Sequence, residues 1–273
     1  MTIGMRIAEV RKARGMTQEQ LAERLKVSFQ AVSTWERDEN LPDTGHLREL
    51  SKVLNLSLDS LFAEGINRDW ELKNPNFDHD RMYTYLKARA QAEGFTQTLA
   101  ALPLMREKHA GQMRKGPTEQ VPYAVHPLTL ACHALAMGLA DDDVLASLLL
   151  HDVIEDTGTT PEELPVNARV REAVCLVSYN TYAGEKEAIK QAYYENIAKN
   201  PLAALIKCVD RCHNLSCMAD GFTRRKMAIY VIESEKYVWP LLDVVKSVPA
   251  WNNAAWLLRY QMKALLETYK RLI

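Results

Sequence analysis

The sequence lacks any apolar run approaching the about 18 residues that a membrane-spanning helix needs. Its opening stretch, MTIGMRIAEVRKARG, lacks the apolar core of a secretory signal. Together these absences predict a cytoplasmic protein with no membrane partner. Charge of one sign is missing too: 34 Lys and Arg stand against 35 Asp and Glu, a formal net charge of −1. That excludes a mainly basic nucleic-acid coat. It leaves room for a small DNA-binding module, where only the distribution of charge over one surface matters. Cysteine is scarce, with five residues and no C-x-x-C pair, and an odd number fits poorly with a disulfide framework. Cys208, Cys212 and Cys217 lie close enough in sequence to raise the question of zinc. Semi-buried thiols on a helix are the preferred reading. β-Branched alternation is also rare, which argues against sheet.

What is present is helical periodicity, with apolar residues recurring at three and four. The fold class predicted is all-α: a five-helix helix-turn-helix domain over 1–64, a linker over 65–80, and a larger bundle over 81–273. Gly65, Pro75 and several Asn and Asp break the period in the linker. The bundle is read as roughly nine to eleven helices.

In the first domain, Thr17 with Gln20 forms a capping box. Leu21, Ala22 and Leu25 make an apolar face, Lys26-Val27-Ser28 a tight turn, and Ser28 the cap of the next helix. Ala31, Val32 and Trp35 face inward from that helix, and Pro42 and Asp43 open another. Two short helices joined by such a turn are a helix-turn-helix. The pieces TQEQLAERL, VSFQAVSTWE, LP and LSKVLNLSLDSLF resemble the Cro/phage-repressor (XRE) family, lambda-repressor-like in fold, over about residues 5 to 62. The resemblance implies duplex DNA as partner, bound by a homodimer. It implies base reading by Ser28, Phe29, Gln30, Ser33 and Thr34, and phosphate contact at Gln18. Gln30 has the chemistry to read adenine. Phe29 stands where a polar or basic residue is usual, and Asp38 where a glycine is usual. Over residues 1–62, 9 basic residues meet 9 acidic ones, so an interaction or dimerisation module is the alternative.

In the second domain, His151 and Asp152 follow the apolar run VLASLLL, and both can ligate one divalent ion. Glu155 and Asp156 each stand four residues beyond a ligand, so a single continuous helix would stack them on one face. Four ionisable groups after a run of leucines are costly unless a cation compensates. His126 and Asp210, each after an apolar stretch, are the natural completing ligands. Two His and two Asp suit manganese, iron or another six-coordinate ion better than structural zinc. A bound water then becomes a nucleophile.

The blocks HAGQMRKG (109–116), PYAVHP (122–127), LLHDVIEDT (149–157) and KCVDRCHNL (207–215) resemble, in order, those of the HD phosphohydrolases. The closer likeness is to the hydrolase domain of RelA/SpoT proteins and to small alarmone hydrolases. This resemblance implies metal ligation by His126, His151, Asp152 and Asp210, with manganese as the ion, and proton handling by Glu155 and Asp156. It implies nucleotide binding by Arg114, Lys115 and Asn214, and release of pyrophosphate from the 3′ position of guanosine tetra- or pentaphosphate, (p)ppGpp. The segment CLVSYNTYAGEKEAIKQAYYENIAKNPLAALIKC departs from the alarmone hydrolases between the two metal blocks. A regulator whose HD domain senses a nucleotide with little turnover is the alternative, and intact Glu155 and Asp156 favour the enzyme. His133, Tyr193 and Tyr194 read as packing, Arg224, Arg225 and Lys226 as a solvated face, and His213 as a support for the site.

Overall fold

A computed structural model describes residues 2–56, 78–114, 121–182 and 186–273. The chain divides into two compact units, Met1–Lys73 and Asn74–Ile273. Among the described residues secondary structure is almost wholly helical, and no helix is long and apolar enough to cross a membrane.

The N-terminal unit contains α1 (Ile3–Ala13), α2 (Gln18–Leu25), α3 (Phe29–Glu36) and α4 (Thr44–Val53). A fifth helix, read from the sequence after Leu54, falls outside the described residues, as does the stretch 65–80 apart from its last three residues. Each start is set by a side-chain cap. Thr17 and Gln20 form the reciprocal capping box, Ser28 Oγ accepts from the Ala31 amide at 3.2 Å, and Asp43 accepts from that of His46 at 2.8 Å. Lys26 takes a left-handed conformation (φ 57°), which turns the chain sharply between α2 and α3. Ile7, Leu21, Leu25, Val32, Trp35, Leu50 and Leu54 make the core.

A buried ion pair ties three helices together. Arg11 of α1 grips Glu36 of α3 with Nε at 2.6 Å and Nη2 at 2.9 Å, and Gln18 of α2 donates to the same carboxylate at 2.7 Å. Asp38, which departs from the usual glycine, sits at φ 57°, the region that glycine favours. Its carboxylate accepts from the Gly4 amide at 2.8 Å and from the Thr2 hydroxyl, and so closes the start of α1.

The C-terminal unit runs α5 (His79–Glu93), α6 (Thr96–Lys108), β1 (Met113–Arg114), β2 (Val121–Pro122), α7 (Val125–Ala136), α8 (Asp142–Leu150) and α9 (Val153–Thr157). It continues with α10 (Ala168–Val177), α11 (Lys186–Ala198), α12 (Pro201–Cys217), α13 (Arg224–Glu233), α14 (Leu241–Lys246) and α15 (Asn252–Leu272). The antiparallel strand pair, registered Met113 to Pro122 and Arg114 to Val121, is a feature the periodicity does not predict. Two buried helices, α8 and α12, carry much of the framework of the site. α8 is buried on every side, as its composition DDVLASLLL requires. α12 starts at Pro201, with Asn200 accepting from the amides of Leu202 and Ala203 at 3.0 and 3.1 Å, and is buried along most of its length. α8 packs on α6, α7 and α10, while α12 packs on α14, α15 and α10.

The single continuous helix expected through HDVIEDT is not what forms. α8 ends at Leu150, and α9 begins at Val153. The Leu148 carbonyl, which an unbroken helix would offer to the Asp152 amide, accepts from His151 Nδ1 at 2.8 Å. Right-handed dihedrals persist at His151 and Asp152. The Asp156 amide still bonds the Asp152 carbonyl at 2.8 Å, which preserves the one-turn relation between those two acids.

Candidate metal and nucleotide site

His126 in the first turn of α7, His151 and Asp152 between α8 and α9, and Asp210 in the middle of α12 converge at one point. His151 Nε2 lies 2.9 Å from Asp152 Oδ2. His126 Nε2 lies 3.6 Å from the same oxygen and 3.3 Å from Asp210 Oδ1. Ligand atoms of His126, His151 and Asp152 all fall within 4.8 Å of one another. Asp210 joins them through its approach to His126.

The protonation pattern follows from the neighbours. His151 Nδ1 donates to Leu148 O, so its Nε2 is the nitrogen that faces the carboxylates and would give its lone pair to a cation. That Nε2 is buried and has no hydrogen-bond partner among the described residues. At His126 the deciding group is Arg114, a donor only, which lies 3.3 Å from His213 Nδ1. His213 Nδ1 must therefore accept. The His126 Nδ1 that lies 3.0 Å from it must donate, which leaves the His126 Nε2 lone pair facing the carboxylates. The two Nε2 atoms and the two carboxylates converge on one point, which a proton or a divalent cation must occupy. This donor set, with its orphaned His151 Nε2, fits a divalent ion bound by mixed nitrogen and oxygen ligands.

Burial, and then Lys207, act in opposite directions on Asp210, and the net effect holds it well below the usual carboxylate range. Asp152, beside His151, is likewise depressed despite burial. Burial pushes His126 down; in His151 burial also lowers the imidazole, but the Asp152 charge and hydrogen bond together with Asp210 outweigh it and raise the imidazole to about 9, so a proton holds Nε2 in the place a divalent ion would take. Burial also pulls His213 down to about 3, as suits a neutral acceptor.

These groups open into a cavity of about 290 Å³, lined also by Arg114, Glu155, Asp156, Asn214, Tyr123 and Tyr230. The sequence-derived residues are thus brought together, with one exception: Lys115 lies outside the described residues. Glu155 is held by a 2.7 Å hydrogen bond from the Tyr179 amide, and burial raises its carboxyl above the usual value. Arg114 and Asn214 are joined to each other, Nη2 to Oδ1, at 2.8 Å, and Asn214 donates through its amide nitrogen to Asp210. They brace Asp210 as well as line the cavity.

Residues that sequence reasoning did not assign also line the wall. Tyr123 donates to Asp152 Oδ2. Lys207, Arg211 and Tyr230 line the same space. Lys207 and Arg211 lie in the block KCVDRCHNL, so a helical projection about Asp210 was the available signal. Tyr193 and Tyr194 are buried, and the Tyr194 hydroxyl accepts from Arg211 at 3.1 Å.

In the N-terminal unit, Ser28, Phe29 and Gln30 are exposed at the start of α3, while Ser33 and Thr34 are half-buried. Thr34 spends its hydroxyl on the Ala31 carbonyl and Ser33 accepts from Arg37. Gln18, at the start of α2, is turned to Glu36.

Comparison with known proteins agrees with both readings. Residues 7–61 match the helix-turn-helix family. The chain is 33% identical over 164 residues to the mouse guanosine-3′,5′-bis(diphosphate) 3′-pyrophosphohydrolase MESH1, covering 58% of this chain and 87% of that protein. The human MESH1 is 32% identical over the same length, with the same coverage. A guanosine-3′,5′-bis(diphosphate) 3′-pyrophosphohydrolase of Aquifex aeolicus is 31% identical over 123 residues, 43% of this chain and 17% of that longer protein. A solved structure described as a metazoan ortholog of SpoT that hydrolyzes ppGpp superposes with a TM-score of 0.51 at 26% identity, covering 63% of this chain and 95% of that one. Through its C-terminal unit, then, the chain belongs to the guanosine-3′,5′-bis(diphosphate) 3′-pyrophosphohydrolase family of HD-type phosphohydrolases, and it carries a helix-turn-helix domain at its N-terminus.

Proposed function

We propose that the C-terminal unit is a metal-dependent 3′-pyrophosphohydrolase of guanosine tetra- or pentaphosphate. The observation that carries this reading is the convergence of His126, His151, Asp152 and Asp210 beside Glu155 in one cavity. A bound divalent ion, manganese in our reading, supplies an acidified water and neutralises phosphate charge. Glu155, pinned by the Tyr179 amide and raised by burial, takes a proton from the attacking water, with Asp156 beside it. The water oxygen bonds to the phosphorus carried on the ribose 3′ oxygen as that ester bond breaks, the proton taken by Glu155 passes to the 3′ oxygen, which leaves as a hydroxyl, and pyrophosphate departs. Arg114 and Asn214 hold the nucleotide's other end, with Lys115 as a third contact. Incubating the full chain and manganese with a panel of guanine and adenine nucleotides tests the assignment. Pyrophosphate release confined to 3′-diphosphorylated guanosine supports it.

The N-terminal unit is proposed to bind duplex DNA in the cytosol as a homodimer. Exposed Ser28, Phe29 and Gln30 at the start of α3 support this, with Ser33 and Thr34 one turn further on. Gln18 would have to leave Glu36 to reach a phosphate. The domains are proposed to divide at 1–64 and 81–273, with 65–80 between them. Selection from a random duplex pool should return a palindrome.

A further inference from the structure

Resting on the hydrolase reading, we infer that Lys207 and Arg211 form an anion clamp for the terminal phosphate of a diphosphate ester, so that the site releases pyrophosphate in preference to phosphate.

Lys207, Asp210, Arg211 and Asn214 recur at three and four along α12, so they share one face, and all four line the cavity. Along the axis, Lys207 and Asn214 are about 10 Å apart, with the metal ligand Asp210 between them. Asn214 carries Arg114, so the cavity is cationic at both ends and the His–Asp cluster lies between. A ligand with its reacting phosphorus at the cluster meets Arg114 on one side and Lys207 with Arg211 on the other.

Arg211 is 4% exposed, yet no carboxylate lies at ion-pair distance from it among the described residues. Its partners are neutral: Ser234 Oγ at 3.2 Å, the Tyr194 hydroxyl at 3.1 Å, and the Tyr230 ring, 3.8 Å from its guanidinium carbon. Its Nε has no hydrogen-bond partner among the described residues. Lys207 reaches Asp210 Oδ2 at 3.3 Å, but that carboxylate also serves His126 and Asn214. A buried cation without a full counter-charge is costly, and an incoming dianionic phosphate supplies the missing charge. Guanidinium and ammonium donors side by side suit the terminal phosphate of a diphosphate, which extends one phosphorus beyond the atom attacked.

The rival explanation is that Arg211 only fastens α12 to Tyr194 of α11 and to the end of α13. Two measurements separate the two. The first is calorimetric titration of inorganic pyrophosphate and of inorganic phosphate into manganese-loaded full-length protein. The second is kcat/KM for guanosine 3′,5′-bis(diphosphate) against guanosine 5′-diphosphate 3′-monophosphate. Wild type should favour the diphosphate in both. Lys207→Met and Arg211→Gln, each with wild-type helicity and melting, should lose at least tenfold of that preference while phosphate binding changes little. Lys207→Met, away from the Arg211 contacts, carries the test if Arg211→Gln does not fold. A folded Lys207→Met protein that keeps the full pyrophosphate-over-phosphate preference overturns the clamp. If wild type hydrolyses neither nucleotide, the hydrolase reading fails, and the calorimetric comparison still decides the clamp.

Discussion

His126 and His213 meet through their Nδ1 atoms, 3.0 Å apart, and Arg114 fixes which of the two donates. His213 is therefore a positioning residue that keeps the His126 Nε2 lone pair turned toward Asp152 and Asp210. Outer partners of metal-ligating imidazoles typically contribute roughly 10- to 100-fold in metal affinity. His213→Phe should lower manganese affinity by that order, measured calorimetrically, with the fold retained. His213→Asn, which can still accept, should recover part of it. Equal affinity in wild type and His213→Phe would dissociate the pair from the metal.

Glu155→Gln should lower kcat by roughly 10²–10⁴-fold, the range for lost acid–base catalysis, while metal content stays at the wild-type level. Unchanged kcat would move the proton chemistry to another group.

The same substitution has an opposite effect on stability. Burial raises the Glu155 carboxyl, so the folded protein holds its proton more tightly than the unfolded chain does. Ionisation then costs stability, beginning near the free value of about 4.3 and complete above the raised folded value. In metal-stripped protein, Glu155→Gln should melt higher than wild type at pH 7 to 8, and the gap should close as pH falls below about 4. A gap that widens on acidification contradicts the assigned direction.

Gly4 sits where an added Cβ would meet the Trp35 carbonyl at 2.1 Å. That neighbour is backbone and cannot swing aside. Gly4→Ala should destabilise the N-terminal unit by about 1–3 kcal/mol or more. Amide exchange in peptides from α1 and α3 should accelerate, while peptides from α12 keep their protection. Unaltered exchange in α1 would show that the helix shifts freely.

Much of this was legible in local pattern. The Thr17–Gln20 box, the Ser28 cap and the apolar faces of α2 and α3 depend on residues a few positions apart, where capping and periodicity apply. The His151–Asp152 and Asp210 blocks stand out because ionisable groups follow buried runs. The break between α8 and α9 was hidden, because it turns on a side chain competing for one carbonyl. So was the Arg114–Asn214–Asp210 chain, whose first link joins residues 100 positions apart through a strand pair without periodic signature. The lack of a carboxylate at ion-pair distance from Arg211 among the described residues was equally invisible, since sequence counts charges and does not place them.

Metal removal tests the buried charge pattern. On the proposed metal reading, dialysis against a chelator would leave Asp152 and Asp210 facing two imidazoles without an organising cation. Tm should fall, then climb with added manganese as mass action requires. Asp152→Ala should show no such rise. A Tm indifferent to both chelator and metal would rule out a structural part for the ion.

The most direct measurement follows guanosine 3′,5′-bis(diphosphate) by phosphorus NMR in the presence of full-length protein and manganese. A metal-dependent 3′-pyrophosphohydrolase should yield one pyrophosphate and one guanosine diphosphate per nucleotide consumed. That turnover should stop with chelator, return with manganese, and be absent from the Asp152→Ala protein. Orthophosphate in place of pyrophosphate, turnover that survives chelation, or no turnover by metal-loaded wild type would contradict it.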